Sequence, residues 1–372
     1  MGEDPYVPSK ALFQLEKLTQ LRNNISFAPT LLQVDPTAFC NHNCSFCSYR
    51  QENMHNTQML ELIDGKTHTE NRPIGVPTEK SGWDFWMSTK IPTMMSDAGI
   101  PAIEITGGGE PTLWSGFDNL VICCRESGIE VGVVTNGSQL NPERCKLLAR
   151  CTWIRISLDA SNEDIHQKIH RTATKEFHRI INSIIDLVNQ KKEQKTDVTI
   201  GISCIIQQEN YYYIKDVVLI CKKLGVDNIR FSFMYDKTGK AGLTDEQHEQ
   251  LLPILEKYKL LHDTESFKVL FDTSRLWMYS KPNNDFKKCH IQKFVWAIGA
   301  DCKVYPCCIV KYDPKMALAD LHTQTLKEII DDANFKIKQD GINVSLCPPC
   351  WIRQRNQAIE QTQEKPKHSN FL

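Results

Sequence analysis

Six short β-branched runs, separated by stretches with helical signals, constrain this 372-residue chain more than any other feature. They are LLQVD (31–35), AIEIT (102–106), EVGVVTN (130–136), WIRISLDA (153–160), VTIGISCII (198–206) and NIRFSFMY (228–235). Strands that alternate with helices form βα units on a parallel sheet. The helix signals are specific. Asn141 stands as an N-cap before Pro142, and Thr244 with Gln247 makes a capping box that opens the helix over 245–261. Residues two apart on a strand share a face, so Arg155, Ser157 and Asp159 line one side while Ile154, Ile156 and Leu158 line the other. Glu104 and Thr106, then Thr199, Gly201 and Ser203, then Arg230 and Ser232 repeat the polar parity. Covering helices need the apolar face, which leaves the polar residues pointing inward. A closed eight-stranded barrel fills its interior with bulky apolar side chains. Six strands with a polar lining predict an α/β fold in the form of a partial, open (β/α)6 parallel barrel around a wet or ligand-filled cavity. The competing arrangement is an antiparallel sheet with one solvated face.

Two regions break the rhythm. Residues 51–82 form a long polar insertion, read as a lid over the cavity mouth. After residue 265 the βα pattern stops and cysteines crowd in, which divides the chain into a barrel domain over 1–265, with its core at about 30–235, and a small second domain with a polar tail over 266–372. Charge says nothing of a partner: 44 basic residues face 45 acidic ones, for a net charge of -1. The N-terminus lacks the basic start and apolar run of an export signal, and no apolar stretch is long enough for a membrane span. Fifteen cysteines without an export signal point to a reducing cytoplasm, where clustered thiols hold metal. Cys123, Cys124, Cys145, Cys151, Cys204 and Cys221 have apolar neighbours and read as core packing.

The remaining cysteines carry the chemistry. Cys40, Cys44 and Cys47 follow the first strand with the spacing Cys-x3-Cys-x2-Cys. A structural zinc wants four ligands. Iron–sulfur cubanes take one thiolate per iron, so three cysteines leave one iron open. A structural zinc or a bare thiol cluster is the competing reading of the spacing alone. With Phe46 just before its last cysteine, the loop resembles the signature of the radical S-adenosylmethionine (SAM) enzymes. Other motifs agree in order: TGGGEP (106–111) after the second strand, TNG (135–137) after the third and SLD (157–159) at the end of the fourth. The resemblance covers roughly residues 30–235. It implies a [4Fe-4S] cluster held by Cys40, Cys44 and Cys47, with SAM chelated at the open iron, and a partial six-stranded barrel. It also implies a cofactor site lined by Phe46, Gly108, Gly109, Glu110, Asn136, Ser157 and Asp159. The chemistry implied is a 5′-deoxyadenosyl radical that abstracts a substrate hydrogen. Arg155, Arg230 and Glu104 are candidates for substrate contact or proton transfer; pairing of Glu104 with Arg155 inside the barrel is the competing role.

At the C-terminal end, FVWAIGADCKVYPC (294–307) reads as a β-hairpin that brings Cys289 and Cys307 together, and CPPC (347–350) adds a pair. The spacing fits zinc as well as iron–sulfur. The region is similar to the twitch domain, a shortened form of the SPASM domain. That resemblance implies a second, auxiliary [4Fe-4S] cluster on Cys289, Cys307, Cys347 and Cys350. Cys302 stands where the family has Gly, and either it or Cys308 can take the place of one of the four. The expected substrate is a small polar molecule: a sugar, aminocyclitol or nucleoside, oxidised with the help of the auxiliary cluster, with a redox-neutral rearrangement as the other reaction type. A peptide or protein maturase and a nucleic-acid base or modified-nucleotide enzyme are the alternatives, and a non-catalytic iron–sulfur module is the last. Against a maturase stands the short segment of 39 residues before Cys40. The expected electron donor is a flavodoxin or ferredoxin.

Overall fold

The computed structural model describes residues 7–47, 49, 82–234, 242–272, 286–363 and 367. The expected lid therefore lies outside the described residues, apart from Gly82. The strands are β1 (Leu31–Val34), β2 (Ala102–Ile105), β3 (Glu130–Thr135), β4 (Trp153–Ser157), β5 (Thr199–Ile206), β6 (Asn228–Phe233), β7 (Lys268–Phe271), β8 (Val295–Ile298), β9 (Lys303–Tyr305) and β10 (Ala319–Asp320). They form one sheet in the order β10-β9-β8-β1-β2-β3-β4-β5-β6-β7. Strands β1 to β7 pair in parallel, as the βα rhythm requires.

Burial follows the parity read from the sequence. In β4, Ile154 and Ile156 are buried while Arg155 and Ser157 are half-buried, and β1, β2 and β6 alternate in the same way. The apolar parity joins a continuous core beneath the helices, among them Met87–Ala98, Phe117–Glu126, Lys175–Gln194 and Ile214–Leu224. Helix starts are where the caps put them. Asn141 Oδ1 accepts from Arg144 N at 2.8 Å, and Thr244 and Gln247 close their box at 3.2 and 2.9 Å. Each such cap contributes about 1 kcal/mol.

The C-terminal region continues the sheet of the barrel domain. The seventh parallel strand, β7, lies beyond residue 265. The expected hairpin is present as antiparallel β8 and β9, but β8 also pairs in parallel with β1, so the barrel sheet runs on into it. An open barrel leaves β1 with an unpaired edge, and the hairpin covers it. The N-terminal helix α1 (Leu15–Arg22) docks on the same end, with Leu18 in a buried cluster with Ile291, Phe294 and Ile359.

Candidate functional site

Beyond β1 the chain enters the cysteine loop, and its neighbours hold it by backbone. Gly109 N donates to Thr37 O at 3.0 Å and Glu110 N to Phe39 O at 2.8 Å. Asn43 N donates to His170 O at 3.0 Å and Ser45 N to Ile169 O at 2.8 Å. These two carbonyls end the helix α5 (Glu163–His170), counted after helices at 15–22, 87–98, 117–126 and 142–148. Asn41 ties in a third loop: its Nδ2 donates to Ser138 Oγ at 2.8 Å, and its Oδ1 accepts from Asn136 Nδ2 at 2.9 Å. The loops after β2, β3 and β4 thus converge on Cys40, Cys44 and Cys47, all half-buried thiols.

This explains the glycines of the second motif. A Cβ on Gly109 would lie 2.0 Å from Phe39 O, and one on Gly107 would lie 1.8 Å from Gly109 O. Only bare backbone can pass so close to the cysteine loop. Gly108 is buried between them. Glu110 is buried and turned into the protein, where its carboxylate accepts from Thr112 Oγ1 and Thr135 Oγ1, both at 2.6 Å, and from Asn136 N at 2.7 Å. Burial raises its pKa, against these hydrogen bonds that lower it. Its visible work is to join the loops after β2 and β3.

Asp159 is fully buried with a φ of 56°. Its Oδ1 accepts from Ile205 N at 2.5 Å, and its Oδ2 lies 3.2 Å from His170 Nε2. Ser157 stays half-buried on the polar face opposite Ser203. Phe46 packs against a cluster of Met234 and Ile309, which Cys307, Cys308 and Trp351 also cover. That cluster links the cysteine loop to Cys307 and Cys308.

Within the barrel, Arg155 lies over Trp153 at 5.0 Å and sits in register with Gly201. Arg230 pairs in register with Ser203. Glu104 accepts from Gln33 Nε2 at 3.3 Å. The polar lining thus brings the three candidates to one concave face on β2, β4 and β6. Sequence reasoning missed a further group there. Asp35 and Lys311, both fully buried, form a close ion pair, and Tyr312 Oη donates to Asp35 at 3.0 Å. Burial works against the Lys311 ammonium, but Asp35, then Tyr49 and Cys308, outweigh it and hold its pKa above the usual range. The parity of β1 ends one residue short of Asp35, and nothing periodic marks Lys311.

Cys289 has Cys347 and Cys350 as neighbours on one side and Cys307 on the other. Burial pushes the Cys289 thiol up to about 12, and Cys350 and Cys347 beside it add to the rise. Cys307 is raised by burial, then by Cys308 and Cys289. Half-buried thiols gathered around Cys289 are soft donors of the kind that an iron–sulfur cluster takes. Cys302 is placed apart. It occupies the hairpin turn with a φ of 59° and packs in the main core, with Asp301, Asp320, Asp84 and Lys90 as charged neighbours. A left-handed turn position is where Gly is favoured, so the thiol there stands in for a conformational glycine. Cys308 turns toward Lys311, Glu104 and Asp35. Of the six cysteines assigned to packing, five are buried and Cys123 is half-buried.

Residues 34–203 match the model of the radical SAM superfamily, and residues 289–351 match SPASM, an iron–sulfur cluster-binding domain. The chain carries a radical SAM domain followed by a SPASM-type domain. The radical SAM domain implies a [4Fe-4S] cluster and SAM, and the SPASM-type domain implies auxiliary iron–sulfur binding. The donor sets above fit both.

Among curated proteins, the sporulation killing factor maturation protein SkfB of Bacillus subtilis (strain 168) is 24% identical over 286 residues, 76% of this chain and 61% of SkfB. This chain thus spans less than two thirds of that relative. Among solved structures, SuiB of Streptococcus suis bound to precursor peptide SuiA has a TM-score of 0.63 at 17% identity, covering 95% of this chain and 77% of SuiB. Native anSMEcpe with bound AdoMet and the Cp18Cys peptide gives 0.54 at 16%, covering 88% of each chain. At these identities the structures establish the shared fold.

These matches overturn the expectation of a sugar, aminocyclitol or nucleoside as substrate: one relative is a maturation protein and both structures hold peptides. The argument from the short segment before Cys40 fails for a physical reason. The anSMEcpe chain holds a peptide while 88% of it is matched here, so the length of the segment before Cys40 is no argument against a peptide. Among the described residues, no helix is long and apolar enough to cross a membrane.

Proposed function

We propose that this protein is a radical SAM enzyme that modifies a residue of a peptide or protein. The match to SkfB, a maturation protein, across 76% of this chain carries the reading. The polar barrel face gives it a place to act. Cys40, Cys44 and Cys47 hold the catalytic cluster. When bound, the cluster and SAM supply a 5′-deoxyadenosyl radical that abstracts hydrogen from carbon. The loops at Gly108–Gly109, Asn136 and Ser157 shape the cofactor pocket around it, with Glu110 and Asp159 bracing them from behind. Arg155, Arg230 and Glu104 line the cavity and orient the peptide through its polar groups.

Cys289, Cys307, Cys347 and Cys350 hold the auxiliary cluster. Phe46 and Cys307 pack on the same apolar pair, Met234 and Ile309, which links the two cysteine regions. We assign a net oxidation: Cys289, Cys307, Cys347 and Cys350 would hold a cluster that could supply an electron acceptor, with a flavodoxin or ferredoxin as the external partner. The reducing cytoplasm is the compartment that this chemistry needs.

The test uses anaerobically reconstituted full-length protein, SAM, a reductant and short peptides encoded beside its gene, uniformly deuterated. Deuterium in 5′-deoxyadenosine together with a mass change in the peptide is the expected result. Label transfer from a deuterated sugar or nucleoside, with none from any such peptide, would overturn the proposal.

A further inference from the structure

Tyr312 holds a backbone that side chains of its size rarely adopt. Its φ is 72°, in the left-handed region, and the residue is buried. Such a conformation persists only where the surroundings enforce it, and it concentrates at sites that need a fixed geometry. The contacts that enforce it are specific. Its Oη accepts from Ala300 N and donates to Asp35 Oδ2, both at 3.0 Å. Gly299 leaves room for the ring, since a Cβ there would lie 2.7 Å from Tyr312 Cε1. Lys311, the residue before it, pairs with the same Asp35 and sets its ammonium 5.6 Å from the Tyr312 ring centre.

What this ring faces gives it a use. Ala38 and Tyr312 form one buried apolar pair, and Tyr49 packs against it. The Tyr49 and Tyr312 rings meet edge-on at 6.4 Å, and the Lys311 ammonium lies 5.4 Å from the Tyr49 ring centre. Ala38 stands two residues before Cys40, and Tyr49 two residues after Cys47. One C-terminal side chain therefore packs with both ends of the catalytic cysteine loop, and Asp35 ties it to the end of β1, from which that loop departs.

We propose that Tyr312 is a positioning residue for the catalytic cluster: anchored by the Asp35–Lys311 pair, it fixes the ends of the cysteine loop and so the spread of Cys40, Cys44 and Cys47. The C-terminal region thereby shapes the loop that holds the SAM-binding cluster, through packing and hydrogen bonds. The inference rests on the reading that these three cysteines hold that cluster, and not on the identity of the substrate.

The experiment uses full-length protein, as wild type, Tyr312→Leu and Tyr312→Phe. Hydrogen–deuterium exchange is measured first on the metal-free form by mass spectrometry. Amides of residues 38–47 should exchange about tenfold faster in Tyr312→Leu, the size expected for loss of an aromatic pair, with β4 and β5 unchanged. Tyr312→Phe keeps the ring and should recover most of the protection. After anaerobic reconstitution, the dissociation constant for SAM from equilibrium dialysis should rise about threefold in Tyr312→Leu and recover in Tyr312→Phe. Wild-type exchange at 38–47 in Tyr312→Leu would overturn the proposal, as would an equal rise in β4 and β5, which would mean a general loss of stability. An unchanged SAM constant, or equal effects in Tyr312→Leu and Tyr312→Phe, would overturn it too. If Tyr312→Leu does not fold, Tyr49→Leu removes the opposing ring from the loop side and decides by the same exchange, and a failure of both to fold would overturn it. Wild-type protein without iron at Cys40, Cys44 and Cys47 would overturn the proposal together with the reading it rests on. Normal iron loading with unchanged exchange in the variants would overturn the proposal alone.

Discussion

Cys40, Cys44 and Cys47 come from one stretch of eight residues, whereas Cys289, Cys307, Cys347 and Cys350 are gathered from three places across 62 positions. The first group needs no long-range folding to bring its thiols together; its shape is then set by backbone hydrogen bonds from the loops after β2 and β4. The second group exists only once β8 and β9 have formed and the segment before the last helix, Arg353–Glu360, has closed over them. Chain closure over such distances has an entropy cost that metal binding must offset. A compact loop with an open corner suits a cluster that does chemistry. A scattered, closed set suits one that stores or passes an electron while fastening the C-terminal end.

The sharpest way to break this contrast is Cys44→Ala, which should lower 5′-deoxyadenosine formation by about three orders of magnitude or more, followed by chromatography. Cys347→Ala should remove one four-iron cluster of two, so iron content falls by about half. It should spare cofactor cleavage yet stop product formation. Normal product from that variant would deny the C-terminal thiols any part in turnover. Gly109→Ala tests the clamp on the first loop. Its new methyl meets Phe39 O, so we expect a loss of about 2 kcal/mol in chemical denaturation and weaker SAM binding. Cys302→Gly should have the smallest effect. Release of the left-handed strain offsets the lost burial to within about 1 kcal/mol, and iron content should not change. A fall in iron would return Cys302 to the ligand set.

Much of the fold was legible because it rests on periodicity. The alternation Ile154, Arg155, Ile156, Ser157 appears directly as buried and half-buried positions. The motif glycines were legible too, although the reason for Gly109, its approach to Phe39, was not. Asp159 and Glu110 could be found by motif, but their hydrogen bonds show carboxylates engaged within the protein. His170 carried no signal of its own. It is one polar residue at the end of an amphipathic helix, and its meeting with Cys44 spans 126 positions. The pairing of β8 with β1 was equally hidden, since a hairpin's pattern does not say which sheet edge it will cover. The substrate class was misjudged because the cavity's polarity is shared by ligands of different kinds.

By itself the sequence determined the βα order, the inward polar face and the three-thiol loop, all of which follow from residues a few positions apart. Tertiary structure alone decided that Asp35 meets Lys311, that His170 meets Cys44 and that Phe46, Cys307 and Cys308 pack on one apolar cluster. The physical reason is range. Backbone periodicity and ligand spacing are properties of covalent neighbours, while a buried ion pair or a sulfur–imidazole contact is settled only by how the sheet closes.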